Sequence, residues 1–484
     1  MNIHFVGHIM SYLLGLEAIF LLPSLVIGII DGDGTATAFT GTISLCAIAC
    51  ACLYRLTKHY QSQRYYAQEG MITVALAWII LSIFGALPFW FSGQVPSYID
   101  AFFETVSGFT TTGASILPTV ETLSRRLLFW RSFTHWMGGM GILVFMMAIV
   151  PLGQDAGYSL HILRAESPGP VVGKLTPRMG GTARLLYLMY FVLSILCLVF
   201  YLLGGMPLFE AICHTFCTAG TGGFGILNDS FVSYTPYLQW VTTIFMALFG
   251  VNFTVYFFLA LREYSAALLD EELHLYLGLM VIISALITFD IRPLYDSFGE
   301  SLRHAFFQVS TIMTTTGYAS TDFDLWPSFS KMLLVCCMII GASAGSTGGG
   351  LKIARILLLL KALRRNVVKS IRPNTVQSVL INKRPMDEQV IDNTNAFLSA
   401  YCVFILISVL LISVEGYSFE TNMTAVLSCI NNIGPGLEMV GPTCNFSFFS
   451  PLSKLVLCAD MLLGRLEIFP ILALFSKRAW NRAL

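Results

Sequence analysis

A short Thr/Gly segment recurs along this chain, each time between two long apolar runs, and that recurrence limits the folds open to it. The clearest copy is Ser107-Gly108-Phe109-Thr110-Thr111-Thr112-Gly113-Ala114-Ser115, matched by Ser310 through Thr314-Thr315-Thr316-Gly317-Tyr318. More divergent copies are Cys217-Thr218-Ala219-Gly220-Thr221-Gly222-Gly223-Phe224 and Ser428-Cys429-Ile430-Asn431-Asn432-Ile433-Gly434-Pro435. Aligned on their glycines, the copies place Gly113, Gly223, Gly317 and Gly434 at one position. The preceding residues align too: Ala101-Phe102-Phe103-Glu104, Ala211-Ile212-Cys213-His214 and Ala305-Phe306-Phe307-Gln308. Four such loops held between membrane spans would form a ring of backbone carbonyls about one axis, which is how a pore replaces the water shell of a cation.

Composition supports the membrane setting. Of 484 residues 56% are hydrophobic and only 12% charged, with mean hydropathy +0.73, whereas soluble domains carry about 25% charged residues. The balanced net charge gives no reason to expect nucleic acid as a partner. The apolar stretch from about residue 5 to 30 has no basic leader and reads as a first span, not a cleavable signal. The cysteines are scattered through apolar runs without paired spacing and read as small buried packers.

In order, residues 1–68 form an N-terminal two-span extension, followed by repeats at 69–155, 182–265, 273–365 and 393–484. Within each repeat a span leads to a segment too short to cross a bilayer, where about 20 helical residues are needed. That segment reads as a half-length pore helix that dips in and returns through the Thr/Gly loop, and a second span closes the unit. In repeat one the return span is expected at about 127–150. The fold class is an all-α polytopic membrane protein: four pseudo-symmetric span–pore helix–loop–span repeats around a central pore plus the extension, about ten transmembrane helices. Irregular backbone at membrane depth must line a cavity or pack on protein.

The positive residues orient the chain. Arg55, Lys58, Arg64, Arg164, Lys174, Arg178, Arg184, the series from Lys361 to Arg384 and the tail Lys477, Arg478 and Arg482 fall on one side, so both termini are expected in the cytoplasm. Arg125, Arg126 and Arg131 outside, and Glu263, Asp270, Glu271 and Glu272 inside, run against this rule.

In the loops, glycine permits the extended backbone that side chains disfavour, and threonine hydroxyls add ligands or brace the loop. The candidate potassium-binding residues are Thr110, Thr111, Thr112 and Gly113; Gly220, Thr221, Gly222 and Gly223; Thr314, Thr315, Thr316 and Gly317; and Asn431, Asn432, Ile433 and Gly434. Pore helices would aim their partly negative C-terminal ends at the axis.

The span–loop–span fourfold with one filter glycine per loop resembles the Trk/Ktr/HKT superfamily of cation transporters, and most of all its bacterial potassium-uptake branch, over essentially the whole chain. The resemblance implies that the four loops are the potassium filter and that the protein sits in the bacterial cytoplasmic (inner) membrane. It further implies a homodimer docked on a cytosolic nucleotide-binding regulatory subunit resembling TrkA, for which the basic connectors 164–184 and 361–384 offer a surface. A serine at the first glycine goes with sodium preference in the family; here it is Gly113. No loop reads Thr-Val-Gly-Tyr-Gly, which predicts weaker discrimination against sodium than in tetrameric potassium channels.

The gate candidates lie in the second spans. Gly341 to Gly350, which includes Gly345, Ser346, Thr347, Gly348 and Gly349, cannot hold a helix when each glycine costs about 1 kcal/mol relative to alanine; Lys352 follows. The resemblance identifies this stretch as an intramembrane loop that obstructs the inner pore. In repeat four Arg465 is expected to project toward the axis as a barrier to cations, and Glu467, on another face of the same helix, to pair elsewhere, with Lys352 the candidate. His135 reads as core packing, and Glu104, His214 and Gln308 as braces behind the filter. No nucleotide or metal motif occurs, and no nucleophile–base constellation lies at depth to support an intramembrane enzyme. The reading is therefore a non-enzymatic, channel-like potassium conductor without a cofactor, potassium being the transported ion. The alternatives are a potassium symporter coupled to protons or sodium, and a structural or assembly protein.

Overall fold

The computed structural model describes residues 3–32, 36–58, 67–141, 179–374 and 377–480. The extension consists of α1 (Ile3–Phe20) and α2 (Leu22–Asp31), which run as one span, and α3 (Ala36–Thr57). α1 packs against α3 and against α4 (Ala67–Gly85), the first span of repeat one, so the extension lies beside the repeats. α5 (Leu87–Phe91) prolongs α4.

Each repeat then has its short helix: α6 (Tyr98–Phe109) in repeat one, and α9 (Leu208–Gly220) after the span α8 (Met179–Leu203) in repeat two. Repeat three has α13 (Phe298–Met313) after α12 (Glu271–Asp290), and repeat four has α17 (Phe419–Ile430) after α16 (Glu388–Ile412). At 12, 13, 16 and 12 residues, these helices are roughly 18–24 Å long at 1.5 Å per residue and cannot cross about 30 Å of hydrocarbon. Serine caps start three of them: Ser97, Ser297 and Ser418 accept from the N–H groups of Asp100, Glu300 and Thr421, satisfying donors that a helix start leaves free. From the second turn onward all four are almost wholly buried.

The return spans are α7 (Arg125–Gly139), α10 (Pro236–Phe249) with α11 (Phe253–Ala260), α14 (Ser328–Ile340) with α15 (Ile353–Ile371), and α18 (Pro451–Arg465) with α19 (Phe469–Phe475). Among the described residues six helices are long and apolar enough to cross a membrane unaided, and the bent pair α10–α11 makes a seventh. α7, α14–α15 and α18–α19 fill the remaining span positions of the repeats. α14 and α18 stop short and their spans resume as α15 and α19 after an irregular break, as α10 does before α11. The break after Ile340 is the one expected from its glycines. α10 and α11 meet at 87°. α18 stops at Arg465, so the expectation that Arg465 and Glu467 share one helix is corrected. Glu467 and Ile468 take φ of 55° and 67°, and Pro470 has no N–H to bond Leu466, the residue four before it. Residues 142–178 lie outside the described residues, and with them the end of the repeat-one return span and the basic residues Arg164, Lys174 and Arg178; so do Arg64 and Arg482.

Candidate ion-conduction site

The four loops have one backbone form although their sequences differ. Three residues into each, Thr112, Gly222, Thr316 and Ile433 donate their N–H to Ser107, Cys217, Thr311 and Ser428 O at 2.9, 2.9, 2.7 and 2.9 Å. The preceding residues are all left-handed: Thr111 at φ 55°, Thr221 at 53°, Thr315 at 59° and Asn432 at 56°. The glycines follow, Gly113 at 81°, Gly223 at 76°, Gly317 at 85° and Gly434 at 105°.

The glycines also close a ring. A Cβ placed on Gly113 would overlap Gly222 O, one on Gly223 would overlap Thr316 O, and one on Gly317 would overlap Ile433 O. On Gly434 it would stand 2.8 Å from Thr112 O. Each loop thus abuts the next in chain order and the fourth abuts the first. Positive φ and lack of space both demand glycine here. Thr110 and Thr314 hydroxyls bond Val106 and Ser310 O at 2.6 and 2.7 Å and meet the hydroxyls of Thr112 and Thr316 at 2.8 Å, so these threonines brace their loops. Asn432 Nδ2 donates to Thr112 Oγ1 at 3.0 Å and ties loop four to loop one. Outside the ring lies a cavity of about 230 Å³ lined by all four glycines.

The side of the ring opposite this cavity is covered. Gly349 N–H donates to Thr315 Oγ1 at 2.6 Å, and a Cβ on Gly348 or Gly349 would strike Thr314 O or Asn431 O. Residues 341–352 therefore press on the underside of loops three and four. The segment also rests on the α10–α11 break: Ser343 N–H donates to Gly250 O at 3.2 Å, Phe253 N–H to Gly345 O at 3.1 Å and Thr347 Oγ1 to Phe249 O at 3.2 Å. Arg465 spans three repeats, donating to Thr111 Oγ1 at 3.2 Å, to Thr347 O at 2.9 Å and to the carbonyls of Gly138 and Gly139. A ring of backbone carbonyls, open to a cavity on one side and covered on the other by an irregular segment and a guanidinium, is suited to a monovalent cation whose passage is controlled.

The family model described as TrkH, cation transport protein, matches residues 36–274 and 294–482. The chain belongs to this TrkH family. It is 38% identical over 95% of both chains to the Trk system potassium uptake protein TrkH of Salmonella typhimurium. Identity to the Trk system potassium uptake protein TrkG of Escherichia coli is 33% over 99% of both. The crystal structure of the potassium transporter TrkH from Vibrio parahaemolyticus superposes with a TM-score of 0.87 at 31% identity, covering 99% of this chain and 100% of that one.

In this TrkH-family chain the expected gate residues Gly345 to Gly350, Arg465 and Lys352 come together beneath the loops. Glu467 does not pair with Lys352: it bonds Arg355 of α15, whose guanidinium also lies 4.1 Å over Phe397. Lys352 instead bonds Gly348 O within its own segment. Glu272, read from sequence only as a charge on the wrong side, accepts the Ala344 N–H and anchors the segment. Its position at the start of α12, with Asp270 as the cap, was a detectable signal of an acidic first turn and gave no hint of this partner. The His135 Nδ1–H donates to Gly108 O at 2.7 Å, and the ring packs on Phe224 at 4.1 Å between centroids, behind loop two. Among the described residues no group of three His, Cys, Asp or Glu is disposed to hold a metal.

Proposed function

We propose that this chain takes up potassium across the cytoplasmic membrane of a bacterium, through the four-loop ring acting as a backbone-carbonyl filter and under control of the 341–352 segment. The observation that carries the reading is the closed ring in which each loop's glycine abuts the next loop's carbonyl. A cation entering from the outer cavity would exchange water for peptide oxygens of residues 110–113, 220–223, 314–317 and 431–434. The names of the relatives, potassium uptake proteins and a potassium transporter, support the choice of ion. Their membership of a Trk system supports further subunits, and we assign to these a nucleotide-binding cytosolic regulator of the TrkA kind and a second copy of this chain. On the same reading, supported by the basic connectors, both termini lie in the cytoplasm.

The test is growth of cells lacking their own potassium uptake systems on limiting potassium. Cells carrying this chain should grow. Cells carrying Gly113→Ser should need at least about tenfold more potassium and should take up sodium, because the added side chain meets Gly222 O in a backbone position that costs an L-residue about 1–2 kcal/mol. Equal growth of the two strains would overturn the reading.

A further inference from the structure

Glu104 of α6 and Arg131 of α7 form an ion pair at 2.6 Å, with side chains 0% and 3% exposed. Taken from sequence, one is a brace and the other an unexplained outer charge. The remaining capacity of Glu104 is filled by the Ser115 hydroxyl and the Ile116 N–H, each at 3.0 Å, two and three residues past Gly113. Arg131 reaches the neighbouring loop: Nη1 donates to Gly225 O at 2.8 Å, two residues past Gly223, and the guanidinium lies 3.5 Å from the centre of the Phe224 ring. Arg131 also lines the cavity outside the glycine ring.

The aligned positions in the other repeats are uncharged in this setting. His214, wholly buried, meets the hydroxyl of Tyr318 at 3.2 Å, and Gln308 donates to Thr321 O. Ala425 occupies the place in repeat four. Removing two charges from water is unfavourable unless their geometry is fixed and their other bonds are made, and here every one of those bonds runs to a filter exit.

Resting on the filter reading above, the structure assigns Glu104 and Arg131 as a positioning pair that fixes the outer ends of loops one and two and thereby sets discrimination between potassium and sodium. Two effects act together. The pair holds the exits of Gly113 and Gly223 at one separation, and the carboxylate cancels a guanidinium charge that would otherwise repel cations at the mouth.

The experiment measures the potassium-to-sodium permeability ratio from bi-ionic reversal potentials of the full-length protein in proteoliposomes. Arg131→Lys keeps the charge but loses the fork and the ring contact, and should lower the ratio about fivefold. Glu104→Gln should cut potassium flux about tenfold as well, since it leaves the guanidinium unpaired. Adding Arg131→Gln to it should restore flux without restoring the ratio. Ser115→Ala, at a half-buried site, should lower the ratio about twofold for the loss of one bond to a charged group. Wild-type ratios in Arg131→Lys and Ser115→Ala would overturn the assignment and leave the pair a purely structural element. If the ionic variants do not fold, Ser115→Ala decides alone. Gly113→Ser in the same vesicles separates the two ideas: an unchanged ratio there sinks the filter reading itself, whereas a changed ratio with silent Arg131→Lys and Ser115→Ala sinks only the pair.

Discussion

At the scale of single residues, Arg465 bonds three repeats at once beneath the four loops. Its guanidinium serves a filter hydroxyl, a carbonyl of the covering segment and two carbonyls at the end of α7. Arg465→Ala removes a positive charge from beneath the loops, releases Thr347 and frees the Gly138 and Gly139 carbonyls to face a cation. Potassium flux measured with reconstituted protein should rise about tenfold, the factor that 1.4 kcal/mol of barrier represents. Arg465→Lys should give an intermediate value, because an ammonium keeps the charge without the fork. A flux unchanged in Arg465→Ala would discard the barrier. The equivalence of the four loop glycines could be read from sequence because φ and space demand the same residue at all four places. The left-handed conformation of Thr111, Thr221 and Thr315 could not, since β-branched residues rarely take it; only Asn432, at the aligned position, is a residue that tolerates it readily. The partner of Glu467 was also out of reach, because Arg355 and Lys352 are three residues apart and only the path of the segment decides which one arrives.

At the scale of elements, pore helices and spans were legible because burial, caps and length agree in them. The breaks were legible only where composition alone forbids a helix, as in Gly341–Gly350. In repeat two the break has one glycine and Asn252, whose side chain caps α11 by accepting from Thr254 N–H. In repeat four Pro470 was the available signal. Both breaks are fixed mainly by what packs on them. The 341–352 segment is held by the α10–α11 break, by Thr315 and by Glu272, so its hold can be weakened without touching the filter. Glu272→Ala leaves the Ala344 N–H buried without its acceptor, a loss of about 1–3 kcal/mol from the covered state. Basal potassium flux should then rise, by about five- to tenfold at the lower end of that range. Glu272→Gln retains an acceptor oxygen and should stay near wild type. Equal flux in the alanine variant and wild type would mean that the segment is not held closed by this contact.

At the scale of the whole molecule, most of the charges that ran against the orientation rule have partners within the chain. Arg131 is paired with Glu104, Arg126 is fully buried with a bond to Gly28 O, and Arg125 pairs with Asp31. On the other side Glu271 pairs with Lys361 and Glu272 with the covering segment. Charges held by partners within the fold give little guidance on sidedness, which leaves the basic residues of α15 and the connectors as the indicator. Cys444 is exposed and lines the cavity outside the glycine ring, whereas Cys429 and Cys458 of the same repeat are buried. A membrane-impermeant, positively charged methanethiosulfonate applied to the external face of whole cells should attach at Cys444 and place a cation at the pore mouth. At about 4 Å from a permeating ion such a charge is worth about 4 kcal/mol at an effective dielectric near 20, enough to reduce potassium uptake severely. Cys444→Ser should protect. Should the reagent act only from the cytosolic face of inverted vesicles, both termini would lie outside, and the basic face of α15 would be turned away from any cytosolic regulator.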